Sequence, residues 1–183
     1  MGENLKRFKK DKPIKYLLLA EAPPWTEHGE EVRYFYSTFH TLKGSWCKSI
    51  WSAFCPSEKP PDVIEIALTK LAEQGFLLID TLPFAMDYSK VRRKTGLYRK
   101  LVKACLPFLM SKINNSKILF GINDVKVALA FCLHGEAVIK ALPDGLLLPN
   151  KKVIKLNENL IATNRSHFTD SKKLMGIFGI KDI

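Results

Sequence analysis

Short apolar runs alternate with longer amphipathic stretches along this chain of 183 residues. Residues 16–20 (Tyr-Leu-Leu-Leu-Ala) are nearly all apolar and break at Ala22-Pro23-Pro24, as a buried strand running into a loop does. Asp62 then precedes Val63, Ile64, Ile66, Ala67, Leu68, Leu71 and Ala72. These make one broad helical face with Asp62 as its N-cap and Gly75 as its stop. Residues 76–79 form a second apolar run, ended by Asp80-Thr81-Leu82-Pro83. Residues 90–113 read as a helix, with Leu97, Leu101, Val102, Cys105, Phe108, Leu109 and Ile113 at three- and four-residue steps and a bend or split at Pro107. A third strand is expected at 118–120. Gly121-Ile122-Asn123-Asp124 would then turn into a helix over 125–133 that Gly135 ends. Either 153–156 or 160–162 can supply a fourth strand, with Asn157-Glu158-Asn159 as a hairpin turn between them, and the last helix spans 170–178.

Strands alternating with helices predict an α/β domain, a three-layer α/β/α sandwich around a central, mainly parallel four-stranded sheet. A basic leader covers residues 1–14 and a single domain covers 15–183. In open α/β sheets ligands collect at the carboxyl ends of the strands. That rule selects four loops, at 21–25, 80–88, 121–124 and 163–169.

Composition narrows the function. With 46% hydrophobic residues the chain can fill a core and is not a disordered one. Its longest apolar runs fall far short of a membrane helix, and no apolar signal region follows the basic N-terminus, so an intracellular protein without a membrane partner is expected. Cys47, Cys55, Cys105 and Cys132 form no C-x-x-C pair and have no His at ligand spacing, which disfavours a zinc or iron–sulfur site. Cys105 and Cys132, in apolar windows, read as buried thiols. The 29 Lys and Arg exceed the 18 Asp and Glu to give a net charge of +11. Seven of these cations, Lys90, Arg92, Arg93, Lys94, Arg99, Lys100 and Lys103, fall between residues 90 and 103 with no acid among them. Such a run is either a phosphate-contacting surface or a solvated helix face, and its single sign favours the first.

Within the loops, Glu21 stands directly after the first strand, where a general base or water-orienting group would sit, or where a loop carboxylate is simply solvated. Phe35, in the triplet Tyr34-Phe35-Tyr36, is suited to stack on a nucleobase or to fill a small satellite core. Asp80 can hydrogen-bond a ligand or cap its own turn. His167, in Asn164-Arg165-Ser166-His167-Phe168, can donate to a developing anion or sit in solvent.

Taken in order, these segments resemble the uracil-DNA glycosylase superfamily. Ala20-Glu21-Ala22-Pro23-Pro24 is similar to its Gly-Glu-Ala-Pro-Gly motif, and Phe35 follows where the family stacks a Phe on the extruded base. Residues 75–80 are similar to its apolar strand ending in a base-reading Asn, Ile118-Leu119-Phe120-Gly121 to its third-strand segment, and Ser166-His167-Phe168-Thr169 to its His-Pro-Ser loop. Pro24 stands in place of the family's Gly or thymine-excluding Tyr, Asp80 in place of Asn, and Phe168 in place of Pro. The resemblance implies a monofunctional DNA glycosylase that flips a deaminated or damaged base out of DNA and hydrolyses its N-glycosidic bond as a monomer without metal or organic cofactor. Glu21 and His167 would be catalytic, and Phe35, Asp80 and Pro24 would bind the base. Lys90, Arg92, Arg93, Lys94, Asn164, Arg165, Ser166 and Phe168 would contact duplex or single-stranded DNA. The departures raise the alternative of a catalytically inactive nucleic-acid-binding module on the same fold.

Overall fold

The structure, a computed structural model, describes residues 7–8, 12–23, 25, 35, 45–87, 90, 92–93, 95–115, 120, 124–163 and 169–181. The first apolar run is strand β1 (Tyr16–Ala20), the second is β2 (Phe76–Asp80), and β3 is Lys126–Leu129. All three are parallel in the order β2-β1-β3, so the first strand is central. Between and after them lie α1 (Ser45–Phe54), α2 (Ile64–Glu73), α3 (Gly96–Asn115), α4 (Cys132–Ala141) and α5 (Ser171–Phe178). A two-residue antiparallel pair, β4 (Leu146–Leu147) with β5 (Val153–Ile154), stands apart from the main sheet.

Strand alternation sorts the core into two clusters. Leu17, Leu19, Leu77, Ile79, Val127 and Leu129 pack with α3 and α4, whereas Leu18, Ala20, Phe76, Leu78, Ala128 and Ala130 pack with α1, α2 and α5. Helices therefore cover both faces of a parallel sheet that is buried apart from Tyr16 and Lys126 at its amino end, which is why β1 and β2 read as nearly unbroken apolar runs. The leader joins this packing: Phe8 and Ile14 are buried with the α3/α4 cluster, and Arg7 pairs with Glu65 of α2.

The expected four-stranded central sheet is corrected to three strands among the described residues. At the fourth position only Ile161 makes a parallel bridge, to Leu129. Residues 153–154 pair instead with 146–147, and Glu158–Leu160 is a 3-10 turn rather than a hairpin turn. Of the third strand expected at 118–120 only Phe120 is described, and the helix expected over 125–133 is corrected. Residues 126–129, expected to be helical, form β3, and α4 begins at Cys132. A short apolar run carries no periodicity that separates strand from helix, so pairing with β1 decides. Gly135 does not end a helix but lies inside α4, where an added Cβ would come within 3.1 Å of Ile161 and 3.2 Å of Leu129. Its missing side chain lets α4 approach the sheet closely.

Two further expectations shift in detail. Val63, not Asp62, precedes α2 as its N-cap, and α3 starts at Gly96, well after Lys90. The buried stripe of α3 is Tyr98, Val102, Cys105, Leu109 and Ile113, while Leu97 and Phe108 of the expected stripe face solvent. Pro107 is accommodated within α3, Cys105 is buried, and Cys132 is only half-buried. Gly75 is required where it stands. It has φ of +84°, and a Cβ would meet the Pro13 carbonyl oxygen at 2.8 Å. The last helix, expected over 170–178, is α5, and Asp170 caps it by accepting from the Lys173 N–H.

Candidate functional site

The parallel ladder continues past the ends of β1 and β2. The Thr81 N–H bonds to the Ala20 carbonyl at 2.9 Å and the Leu82 N–H to the Glu21 carbonyl at 2.8 Å. Glu21 and Thr81 thus follow Leu19 and Ile79 onto the α3/α4 face, and alternation assigns Asp80 to the opposite face with Phe76 and Leu78.

Glu21 is 1% exposed, and the whole of its carboxylate is engaged. The Arg93 Nε–H donates to Oε1 at 2.8 Å and to Oε2 at 2.9 Å, and the Tyr98 hydroxyl donates to Oε1 at 2.5 Å. Beyond Tyr98 lies His134, fully buried in the first turn of α4, with Nδ1 at 2.7 Å from the Tyr98 hydroxyl oxygen and Nε2 at 3.1 Å from Thr81 Oγ1. Counting protons orients the chain. A carboxylate only accepts and a phenol carries one proton, so Tyr98 donates to Glu21 and accepts from His134 Nδ1–H, and Nε2 accepts from the Thr81 hydroxyl. The imidazole is neutral at pH 7, since burial foremost, aided by Arg93, pushes its pKa from 6.5 to about 4 against the pull of Glu21 and the Ala20 carbonyl. The result is a buried polar relay, Thr81 to His134 to Tyr98 to Glu21, closed by Arg93.

Removing one hydroxyl tests this relay. Tyr98→Phe leaves a carboxylate oxygen and an imidazole N–H each short of a partner, and the expected loss is roughly 1–3 kcal/mol of unfolding free energy in urea titrations. A variant as stable as the wild type would show that the relay is not formed.

Asp80 is buried, and its carbonyl accepts from Lys112 Nζ at 2.8 Å. Burial lowers the pKa of this half-buried lysine, while the Asp80 charge pulls it back up. Phe35 is also enclosed, at 1% exposure, with its ring edge-on to Phe76 at a centroid distance of 6.0 Å. It therefore shares the sheet face to which alternation assigns Asp80. Thr163 begins the loop after the Ile161 bridge, and its buried hydroxyl has no partner among the described residues. Beyond the undescribed residues 164–168, the Asp170 N–H bonds the Ala162 carbonyl at 2.8 Å and the Thr169 hydroxyl bonds the Ala130 carbonyl, after β3, at 3.3 Å.

Of the residues expected to contact DNA, Lys90 and Arg92 are exposed, whereas Arg93 turns inward to Glu21 with 17% of its side chain exposed. Arg99, Lys100 and Lys103 lie exposed on α3. Pro24, Lys94, Asn164, Arg165, Ser166, His167 and Phe168 lie outside the described residues. Of the loop expected at 121–124 only Asp124 is described; it lies two residues before β3, on the amino side of that strand, and residues 130–131 follow the carboxyl end of β3 instead. That displacement is why sequence reading missed His134. Tyr98 does not stand out in the sequence because the apolar stripe of α3, which does include the buried Val102, Cys105, Leu109 and Ile113, continues in the first turn through Leu97 rather than Tyr98.

Among the described residues no three His, Cys, Asp or Glu side chains come together as a metal site would require, and no helix is long and apolar enough to cross a membrane. In comparisons with family models, curated proteins and solved structures, the chain matches none of them.

Proposed function

We propose that the protein is a DNA glycosylase related to the uracil-DNA glycosylase superfamily, hydrolysing the N-glycosidic bond of a deaminated or damaged base. The observation that carries this reading is the ion pair between Glu21 and Arg93. It joins the acid at the end of the central strand to the cationic segment that also holds Lys90 and Arg92. A group bridging a phosphate-attracting segment and a buried carboxylate is what a site acting on a sugar–base bond needs, with the scissile bond between backbone and base.

In this scheme the extruded nucleotide enters between the strand-end loops. Asp80 reads the base edge, while Phe35, enclosed against Phe76 at the amino end of β2, supports that face of the sheet from within. Both oxygens of Glu21 are occupied in the unliganded pair. A backbone phosphate competes for the Arg93 guanidinium, which binds either anion, and the freed carboxylate then orients water for attack on C1′. The carbon–nitrogen bond breaks toward the base, and the departing base anion is met by donors from the 163–169 loop, with Thr163 and His167 as the assigned groups.

The test is incubation of stoichiometric protein with labelled duplex and single-stranded oligonucleotides carrying uracil, hypoxanthine, xanthine or a mispaired thymine, followed by alkali. Alkali-labile abasic sites are expected, and Glu21→Gln should slow their formation by about 100-fold or more, the scale of a lost general base. A second reading, a non-catalytic nucleic-acid-binding module, is favoured by the complete engagement of Glu21 and the enclosure of Phe35. Salt-dependent binding without product from any substrate would establish it and overturn the first.

A further inference from the structure

We propose that Trp25 and Phe84 form a stacking platform for unpaired bases of single-stranded nucleic acid. This rests on the nucleic-acid part of the proposed function and not on catalysis. Large aromatic rings ordinarily go inside, yet Trp25 is 47% exposed and Phe84 43%. Both lie in loops at the carboxyl end of the sheet, after β1 and β2 respectively. The two loops are tied together, since the Trp25 N–H donates to the Met86 carbonyl and the Met86 N–H to the Pro23 carbonyl, each at 3.0 Å, with the Met86 side chain buried beneath. Phe84, two residues before Met86, thus belongs to the same braced pair of loops as Trp25, and little further ordering of that backbone is needed for the rings to accept a partner.

Charge specifies that partner. Lys90 Nζ lies 5.7 Å from the Trp25 ring centroid, on a side chain that is 78% exposed and paired with Asp87 at 3.0 Å, and Arg92 close by in sequence is exposed. Exposed rings beside cations, on a chain of net charge +11, fit a polyanion that carries planar groups. Stacking requires a free base face. A duplex covers its faces, so the occupant is a single strand or the unpaired part of one.

The experiment measures binding of a labelled oligothymidylate, a strand of equal length with abasic residues, and a duplex to the full chain by fluorescence anisotropy. The wild type should prefer oligothymidylate to the abasic strand. Trp25→Ala and Phe84→Ala should each weaken oligothymidylate binding by about tenfold, consistent with loss of one stacked base, and leave abasic-strand and duplex binding unchanged. Trp25→Phe, which keeps a ring, should retain most of the affinity. The proposal fails if the wild type does not bind oligothymidylate, if it binds both single strands equally, or if the alanine variants bind oligothymidylate like the wild type. It also fails if Trp25→Ala dissociates a concentration-dependent dimer without changing affinity for oligothymidylate, because the face would then belong to a second copy. An absence of abasic product in the glycosylase assay changes none of these outcomes.

Discussion

Arg93→Met lowers the melting temperature by roughly 6–12 °C, the shift expected for a domain of this size when about 3 kcal/mol is lost. The magnitude follows from what is left behind. Glu21 is 1% exposed, and with Arg93 gone its charge is left with the Tyr98 hydroxyl as donor. Removing one partner of a buried ion pair typically costs about 3–5 kcal/mol, and the lower figure applies because the Arg93 side chain retains 17% exposure. The double variant Glu21→Gln with Arg93→Met should recover most of the loss, because a neutral amide can accept from Tyr98 without an uncompensated charge. A single variant that melts with the wild type in a thermal scan would show that the pair contributes nothing. A double variant no more stable than the single one would show that the loss comes from elsewhere around Arg93.

Acid weakens the wild type more than His134→Gln. The folded protein holds His134 at a pKa of about 4, below its ordinary 6.5, chiefly through burial. Between those values the unfolded chain takes up a proton that the folded chain refuses. The stabilisation from keeping this imidazole neutral is complete above about pH 6.5 and is lost as pH falls toward 4, for a total of about 3 kcal/mol. Glutamine retains a donor and an acceptor for Tyr98 and Thr81 but cannot ionise. Unfolding free energies from urea titrations at pH 7 and pH 4.5 should therefore fall further in the wild type, by about 2–3 kcal/mol, while the carboxylates common to both proteins cancel in the comparison. Equal losses would mean that His134 is protonated as easily in the folded state as in the unfolded chain.

These two predictions concern residues that the sequence pattern treats very differently. Glu21 and Asp80 are legible as candidates because each follows an uninterrupted apolar run, and a polar residue at the end of a buried strand must meet either a ligand or a buried partner. Arg93 is legible only as one cation in a run of seven, and nothing local separates it from Arg92. Its inward turn depends on Glu21, 72 residues away. Tyr98 and His134 occupy positions that look like ordinary helix interior, and they become partners only when α3 and α4 pack side by side over β1 and β2.

The errors have the same origin. The run at 125–130 is too short for its period to be read, and only a parallel register with β1 makes residues 126–129 a strand. Reading it as helix leaves residues 130–131, at the carboxyl end of β3, out of the expected strand-end loops. Similarly, the stripe of α3 is legible at Val102, Cys105, Leu109 and Ile113, but in the first turn Leu97 is the more apolar choice, and Tyr98, about 100° further round the helix, is the residue that packs.

By itself, then, the sequence determined that the chain is an α/β protein with buried parallel strands, that acids stand at strand ends, and that cations gather at 90–103. All of these follow from local hydrophobic pattern and charge. Only the tertiary structure decided that the sheet, among the described residues, has three strands with a single bridge beyond, that Arg93 neutralises Glu21, and that a neutral His134 completes the relay through Tyr98. Those outcomes depend on register and helix phase between segments far apart in the chain, where hydrogen bonds of 2.5–3.1 Å require a geometry that no local pattern encodes.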